Sequence, residues 1–199
     1  MSLNSPSRRV LLTSSLVAAG FVLMASSLPA LAQAEDPASP GDASSAVAID
    51  LAARTALTFA GSAEWDDGLR AIMDATDKLR AELGKSGLQP GGRPIAVFTE
   101  TDDKGFHYTA MIPLAADPPG GQSPAFSEGI VLGATPAGKA MKFEHRGSYD
   151  DIDSTYEAIT AYLDEKGLES QNLFVEEYLS TPKSADDQDM EIDIYVFIK

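Results

Sequence analysis

Two stretches of this chain repeat one another, and that repeat limits the possible folds more than any other feature. Phe59 and Phe143 lie 84 residues apart, as do Trp65 and Tyr149, Asp66 and Asp150, and Asp67 and Asp151. Each set is followed by a stripe at helical spacing. In the first half it is Leu69, Ile72, Thr76, Leu79 and Leu83; in the second it is Ile152, Tyr156, Ile159 and Leu163. Gly87 and Gly167 stand where a helix needs a residue that tolerates left-handed backbone. They are 80 residues apart, so the first helical region is longer by about one turn.

Two β-rich runs follow each helix, at 95–100 and 106–114 in the first half and at 173–180 and 191–198 in the second. Thr101-Asp102-Asp103-Lys104-Gly105 joins the first pair as a hairpin, and a longer loop, 181–189, joins the second. A further β-compatible run precedes each helix, around 54–59 and 139–145, and Pro118-Pro119-Gly120-Gly121 marks the seam. The expected fold class is α+β. Tandem duplicated strand-helix-strand-strand modules, approximately 49–114 and 128–199, form an antiparallel sheet with two helices on one face. Related halves packed about a pseudo-twofold axis place a site in a central cleft between them, with one face of the sheet left free.

The N-terminus carries Arg8 and Arg9, an apolar run from Leu16 to Met24 and the small residues Ala30, Ala32 and Ala34. That order reads as a signal peptide over residues 1–34, cleaved after Ala32 or Ala34. The arginine pair fits a twin-arginine signal or an ordinary positive n-region. The expected location is therefore periplasmic or secreted, with no stable membrane span after cleavage. Residues 35–48, rich in Ala, Ser, Pro, Gly and Asp, read as a flexible leader. Loss of residues 1–34, with two basic and no acidic side chains, takes the formal charge from −15 to −17. Such an anion lacks the Lys and Arg surplus that nucleic acid binding requires. Its charge favours cationic or neutral ligands, or serves solubility alone. There is no cysteine, so packing must hold the fold without disulfides.

The second half carries the runs Thr135-Pro136-Ala137-Gly138-Lys139-Ala140 and His145-Arg146-Gly147-Ser148-Tyr149-Asp150. It continues through Glu176-Glu177-Tyr178-Leu179-Ser180-Thr181-Pro182 to the terminal Ile194-Tyr195-Val196-Phe197-Ile198-Lys199. These resemble the GyrI-like small-molecule-binding domain, also known as the effector-binding domain of AraC-type and MerR-type regulators. The resemblance is specific from about 130 to 199, matches only in pattern over 47–114, and assigns 49–199 to one such domain. It implies a cleft for amphipathic, often cationic aromatic, molecules, with a glutamate at the position of Glu176 among aromatic residues. The candidates here are Tyr149, Tyr178 and Tyr195, with Trp65 as the first-half counterpart of Tyr149. No helix-turn-helix precedes the domain, so regulation of transcription is not carried over.

Strand alternation puts Glu176, Tyr178 and Ser180 on one face and Glu177 and Leu179 on the other, so one glutamate points inward. A carboxylate among aromatic rings can neutralise a cation that the ring faces also attract. Tyr156, on the helical stripe, reads as core, and Ser148 with Asp151 as a cap for the second helix. Asp66 and Asp67 favour the dipole of the first. His145 reads as a structural hydrogen-bonder. Two isolated histidines give no zinc site, and Asp186-Asp187-Gln188-Asp189 lacks the rhythm of a calcium loop. No cofactor and no metal are expected. The leading expectation is an exported binding protein for a hydrophobic or cationic aromatic ligand. The alternatives, drawn from relatives, are a hydrolase of reactive cyclopropane compounds using Glu176, an envelope protein-interaction module, and haem binding in the manner of the similarly folded SOUL proteins.

Overall fold

The computed structural model describes residues 46–118 and 125–199. The expected signal peptide, most of the leader and most of the seam between halves lie outside the described residues. Within them, β1 (Val47–Leu51) and β2 (Thr55–Glu64) lead through a 3-10 turn (Trp65–Asp67) into helix α1 (Gly68–Ser86). Strands β3 (Ile95–Thr101) and β4 (Gly105–Pro113) complete the first half. The second repeats the order: β5 (Ile130–Ala134), β6 (Gly138–Arg146), a 3-10 turn (Tyr149–Asp151), α2 (Ile152–Lys166), β7 (Ser170–Tyr178) and β8 (Glu191–Ile198).

The helices form where the stripes place them, and every residue of both stripes is buried. Gly87 and Gly167 end them in left-handed backbone at φ 69° and 62°. α1 has 19 residues and α2 has 15, the extra turn that changes the repeat spacing from 84 to 80. One cap differs from expectation. Ser148 Oγ accepts from the Asp150 N–H and caps the 3-10 turn, while Asp151, at the start of α2, makes no side-chain cap. The 3-10 turn intervenes because the chain must change direction between β6 and α2.

The strands form one antiparallel sheet in the order β1-β6-β8-β7-β3-β4-β2-β5. The repeat is visible in its register. Phe59 faces Ala110 across β2 and β4, and Phe143 faces Ile194 across β6 and β8, each 84 residues on. Ala96 faces Ala110 across β3 and β4; the corresponding pair across β7 and β8 is Glu176 and Ile194. Where the halves meet, β3 pairs with β7 and Ala96 faces Glu176. The pseudo-twofold axis thus passes between Glu176 and its own counterpart.

Strands β1 and β5 carry no counterpart in the sequence reading, and Val47 and Ala48, placed there in the leader, already belong to β1. Each strand is only five residues long and pairs with the other half, so no local hairpin announces it. One register runs from Val47↔Lys142 to Leu51↔Gly138 and on from Thr55↔Ala134 to Phe59↔Ile130. Between the two, the Arg54 carbonyl accepts from the Thr135 N–H at 2.9 Å. In a flat sheet β1 and β2 would stand about 29 Å apart, at roughly 4.8 Å per strand. Residues 52–54 allow Leu51 and Thr55 at most about 14 Å, so the sheet curls round and its ends meet. The face expected to stay free therefore turns into the curl, where Ala56, Ile95, Val97, Met111, Ala140, Val175 and Phe197 form a second apolar cluster.

The main core lies on the opposite face, under the helices. α1 packs on β2 and β4 and α2 on β6, leaving the two middle strands, β7 and β3, between them. Phe143, 1% exposed, fills this core while Val131 is 58% exposed. Phe143→Ala should lower unfolding free energy by about 3–5 kcal/mol and Val131→Ala by less than about 0.5 kcal/mol. Urea denaturation measures both, and equal effects would contradict this placement of the core.

Candidate functional site

Glu176 stands on β7 with the parity of Phe174 and Tyr178, which directs it to the helix face at the middle of the sheet. Its side chain is fully buried. Such a group loses its hydration, at a cost of several kcal/mol unless protein groups replace it. Three tyrosines do so. Tyr156 on α2 donates its hydroxyl to Oε1 at 2.8 Å; Tyr178 and Tyr149 donate to Oε2 at 2.6 and 3.1 Å. The tyrosines are themselves only 3–7% exposed, so the carboxylate sits in a buried ring of phenol hydroxyls. Tyr178 arrives from the same strand two residues on, Tyr156 from the buried stripe of α2, and Tyr149 from the short turn that precedes α2.

Only the second half carries this chemistry. By the repeat spacings, Tyr149 corresponds to Trp65, Tyr156 to Ile72, Glu176 to Ala96 and Tyr178 to Phe98. Four positions tipped with a hydroxyl or carboxyl thus correspond to four that lack one. The first-half members continue the aromatic surface: Phe98 lies 5.3 Å from Phe106, and Phe106 lies 5.1 Å from Trp65, between ring centroids.

Of the five residues singled out in the sequence, the structure brings Glu176, Tyr149 and Tyr178 together. Tyr195 lies on the opposite face of the sheet, because its position on β8 alternates with those of Ile194 and Val196. There it donates to Glu177 Oε2 at 2.7 Å. Burial first, and then that hydrogen bond, push its hydroxyl above the ordinary tyrosine range. Trp65 stands in the other half, half-buried, with its indole N–H donating to the Asp102 carbonyl at 3.0 Å. It belongs to the aromatic surface of that half.

Tyr156 is the member the sequence reading assigned to core. Its ring does pack there, 6.2 Å from Phe174, but its hydroxyl reaches the acid. The signal was a Tyr where the repeat has Ile72. His145 is buried and hydrogen-bonded, as expected of it: Nδ1 is 2.8 Å from Thr155 Oγ1 and Nε2 is 3.0 Å from the Ser148 carbonyl. The Asp186–Asp189 run is a turn in which Asp187 accepts backbone N–H groups of Lys183 and Asp189, which holds its carboxyl below the usual range. Among the described residues no three His, Cys, Asp or Glu side chains are grouped to hold a metal ion, and no helix is long and apolar enough to cross a membrane.

Solved structures share this fold. The C-terminal domain of EcmrR superposes with a TM-score of 0.63 at 14% identity, covering 78% of this chain and 97% of that one. A hydrolase from Listeria innocua gives 0.56 at 16% identity, covering 77% and 91%. SAV2435, in a structure bound to tetraphenylphosphonium, gives 0.51 at 13% identity, covering 78% and 94%. At these identities the likeness is one of fold. Comparison with curated proteins gives no match. The GyrI-like small molecule binding domain matches residues 49–199, which takes in both repeats, both helices and the acid with its three tyrosines. The chain belongs to the GyrI-like small-molecule-binding domain family.

Proposed function

We propose that this small-molecule-binding domain takes a hydrophobic cation of aromatic character, with the cation held against Glu176 and the apolar bulk against the rings around it. The observation that carries this reading is the fully buried carboxylate accepting hydroxyl hydrogen bonds on both oxygens. A protein that needed only a packed centre would be served by an apolar residue there, as the first half is by Ala96. An acid with aromatic side chains close by offers a cation charge at one end and polarisable surface beside it. The structural neighbour bound to tetraphenylphosphonium holds a ligand of this kind. Tyr149 stands on a three-residue turn, whereas Tyr156 is fixed on a long helix and Tyr178 on a strand, so in this reading it is the side chain that moves aside for a ligand.

The hydrolase alternative asks Glu176 to act on a water as general base. Engagement of both its oxygens by tyrosines supports binding over turnover. Tetraphenylphosphonium and tetraphenylborate have the same shape and opposite charge, so they test the charge directly. The cation should bind the wild type and the borate should bind far more weakly. Glu176→Gln should cost the cation about 2–5 kcal/mol, or roughly thirtyfold or more in Kd, by isothermal calorimetry. Equal affinity for the two ions, or an unchanged cation affinity in Glu176→Gln, would contradict the reading.

Export is the second part of the proposal and is supported by the order of charge, apolar run and small residues over 1–34. Expressed with its own N-terminus in a bacterium with two membranes, the protein recovered outside the cytoplasm should begin at Gln33 or Glu35. Recovery of full-length protein solely from the cytoplasm would contradict it.

A further inference from the structure

His145, 4% exposed, touches the chain beside two of the three tyrosines. Ser148, whose carbonyl lies by Nε2, immediately precedes Tyr149. Thr155, whose hydroxyl lies by Nδ1, immediately precedes Tyr156. A carbonyl only accepts, so Nε2 carries its hydrogen, and in the neutral ring Nδ1 accepts from the threonine. The two tyrosines so flanked donate to different oxygens of Glu176, Tyr156 to Oε1 and Tyr149 to Oε2.

The first half provides the contrast. The counterpart of His145, 84 residues earlier, is Gly61. A Cβ there would stand 2.8 Å from the Tyr108 ring and hydroxyl, because Tyr108 leans in from the neighbouring strand. Tyr108 donates to the carbonyl of Ala71, the counterpart of Thr155, at 2.9 Å. The counterpart of Tyr108 is Ile192, which leaves the same space to the imidazole in the second half. Both halves tie strand to helix at this point. Only the half bearing the acid does so with a side chain that holds the turn and the helix at once.

We propose that His145 is a positioning residue for the acid cluster: by bonding Ser148 and Thr155 it sets the Tyr149 and Tyr156 hydroxyls on the two oxygens of Glu176. A consequence, which rests on the cation-binding reading, is that cation affinity depends on His145 through Glu176.

The positioning is tested without any ligand, by NMR of the full chain with tyrosines carrying carbon-13 at Cζ, whose shift follows hydrogen bonding at the hydroxyl. His145→Leu should move the Tyr149 and Tyr156 signals and leave Tyr195, across the sheet, in place. His145→Gln, which keeps a donor toward Ser148, should return the Tyr149 signal toward its wild-type position. Thr155→Val, nearly equal in volume and lacking the hydroxyl, should move Tyr156 while the fold persists. Tyr149 and Tyr156 signals unmoved in His145→Leu, or a Tyr156 signal unmoved in Thr155→Val, would overturn the proposal. For the consequence, His145→Gln should weaken tetraphenylphosphonium binding by roughly tenfold or less, the worth of about one hydrogen bond, and add nothing in a Glu176→Gln background. An equal loss in both backgrounds would assign His145 a general structural role. Wild type that fails to bind the cation would sink the binding reading, while the tyrosine signals would still decide for or against the positioning.

Discussion

A carboxylate at the middle of a sheet, under two helices, is the constraint around which the second half is arranged. Burying Glu176 without partners would cost a large share of the roughly 5–15 kcal/mol by which a domain is stable. Three hydroxyls offset that cost, and each must come from an element held in place for other reasons: a neighbouring position on β7, the buried stripe of α2, and the turn between β6 and α2. The polar contacts of His145, Ser148 and Thr155 follow from the same demand. The Ser148 hydroxyl in turn donates to the Ala185 carbonyl in the loop between β7 and β8, tying that loop to the turn.

Duplication explains how such a site can arise beside a conventional core. The halves keep one register and one strand order, and their outer strands pair across halves, so that the sheet closes on itself and a second apolar cluster fills the inside. The first half has Ala96 at the position of Glu176 and so needs no donors for a buried acid. There Trp65, Ile72, Ala96 and Phe98 occupy the positions of the acid and its donors, and the cavity that His145 fills is taken by Tyr108. One half supplies apolar aromatic surface and the other supplies the acid, and the proposed binding of an amphipathic cation rests on that division.

The helices, their lengths and the inner strands were legible because each rests on a local pattern: helical spacing from Leu69 to Leu83 and from Ile152 to Leu163, glycine stops, and a short hairpin turn. The outer strands β1 and β5 were not, since their partners lie 71 to 95 residues away and five-residue runs such as Val47–Leu51 carry little periodicity of their own. Alternation along β7 correctly separated Glu176 from Glu177 but could not say which faced the helices; that depends on the register with β3 and β8. Tyr195 was grouped with the wrong glutamate's neighbours for the same reason, and in the fold it serves Glu177. Tyr156 was legible as core and hidden as a donor, because a stripe records where a ring goes and not where its hydroxyl ends.

The central claim, that Glu176 is the group a bound cation meets, is tested most directly by the infrared spectrum of that carboxylate. A difference spectrum taken on adding tetraphenylphosphonium to the full chain should show a shifted carboxylate stretch that is missing from the same experiment with Glu176→Gln. Saturable binding with no carboxylate band in the difference, or the same band in both proteins, would contradict it and place the ligand elsewhere.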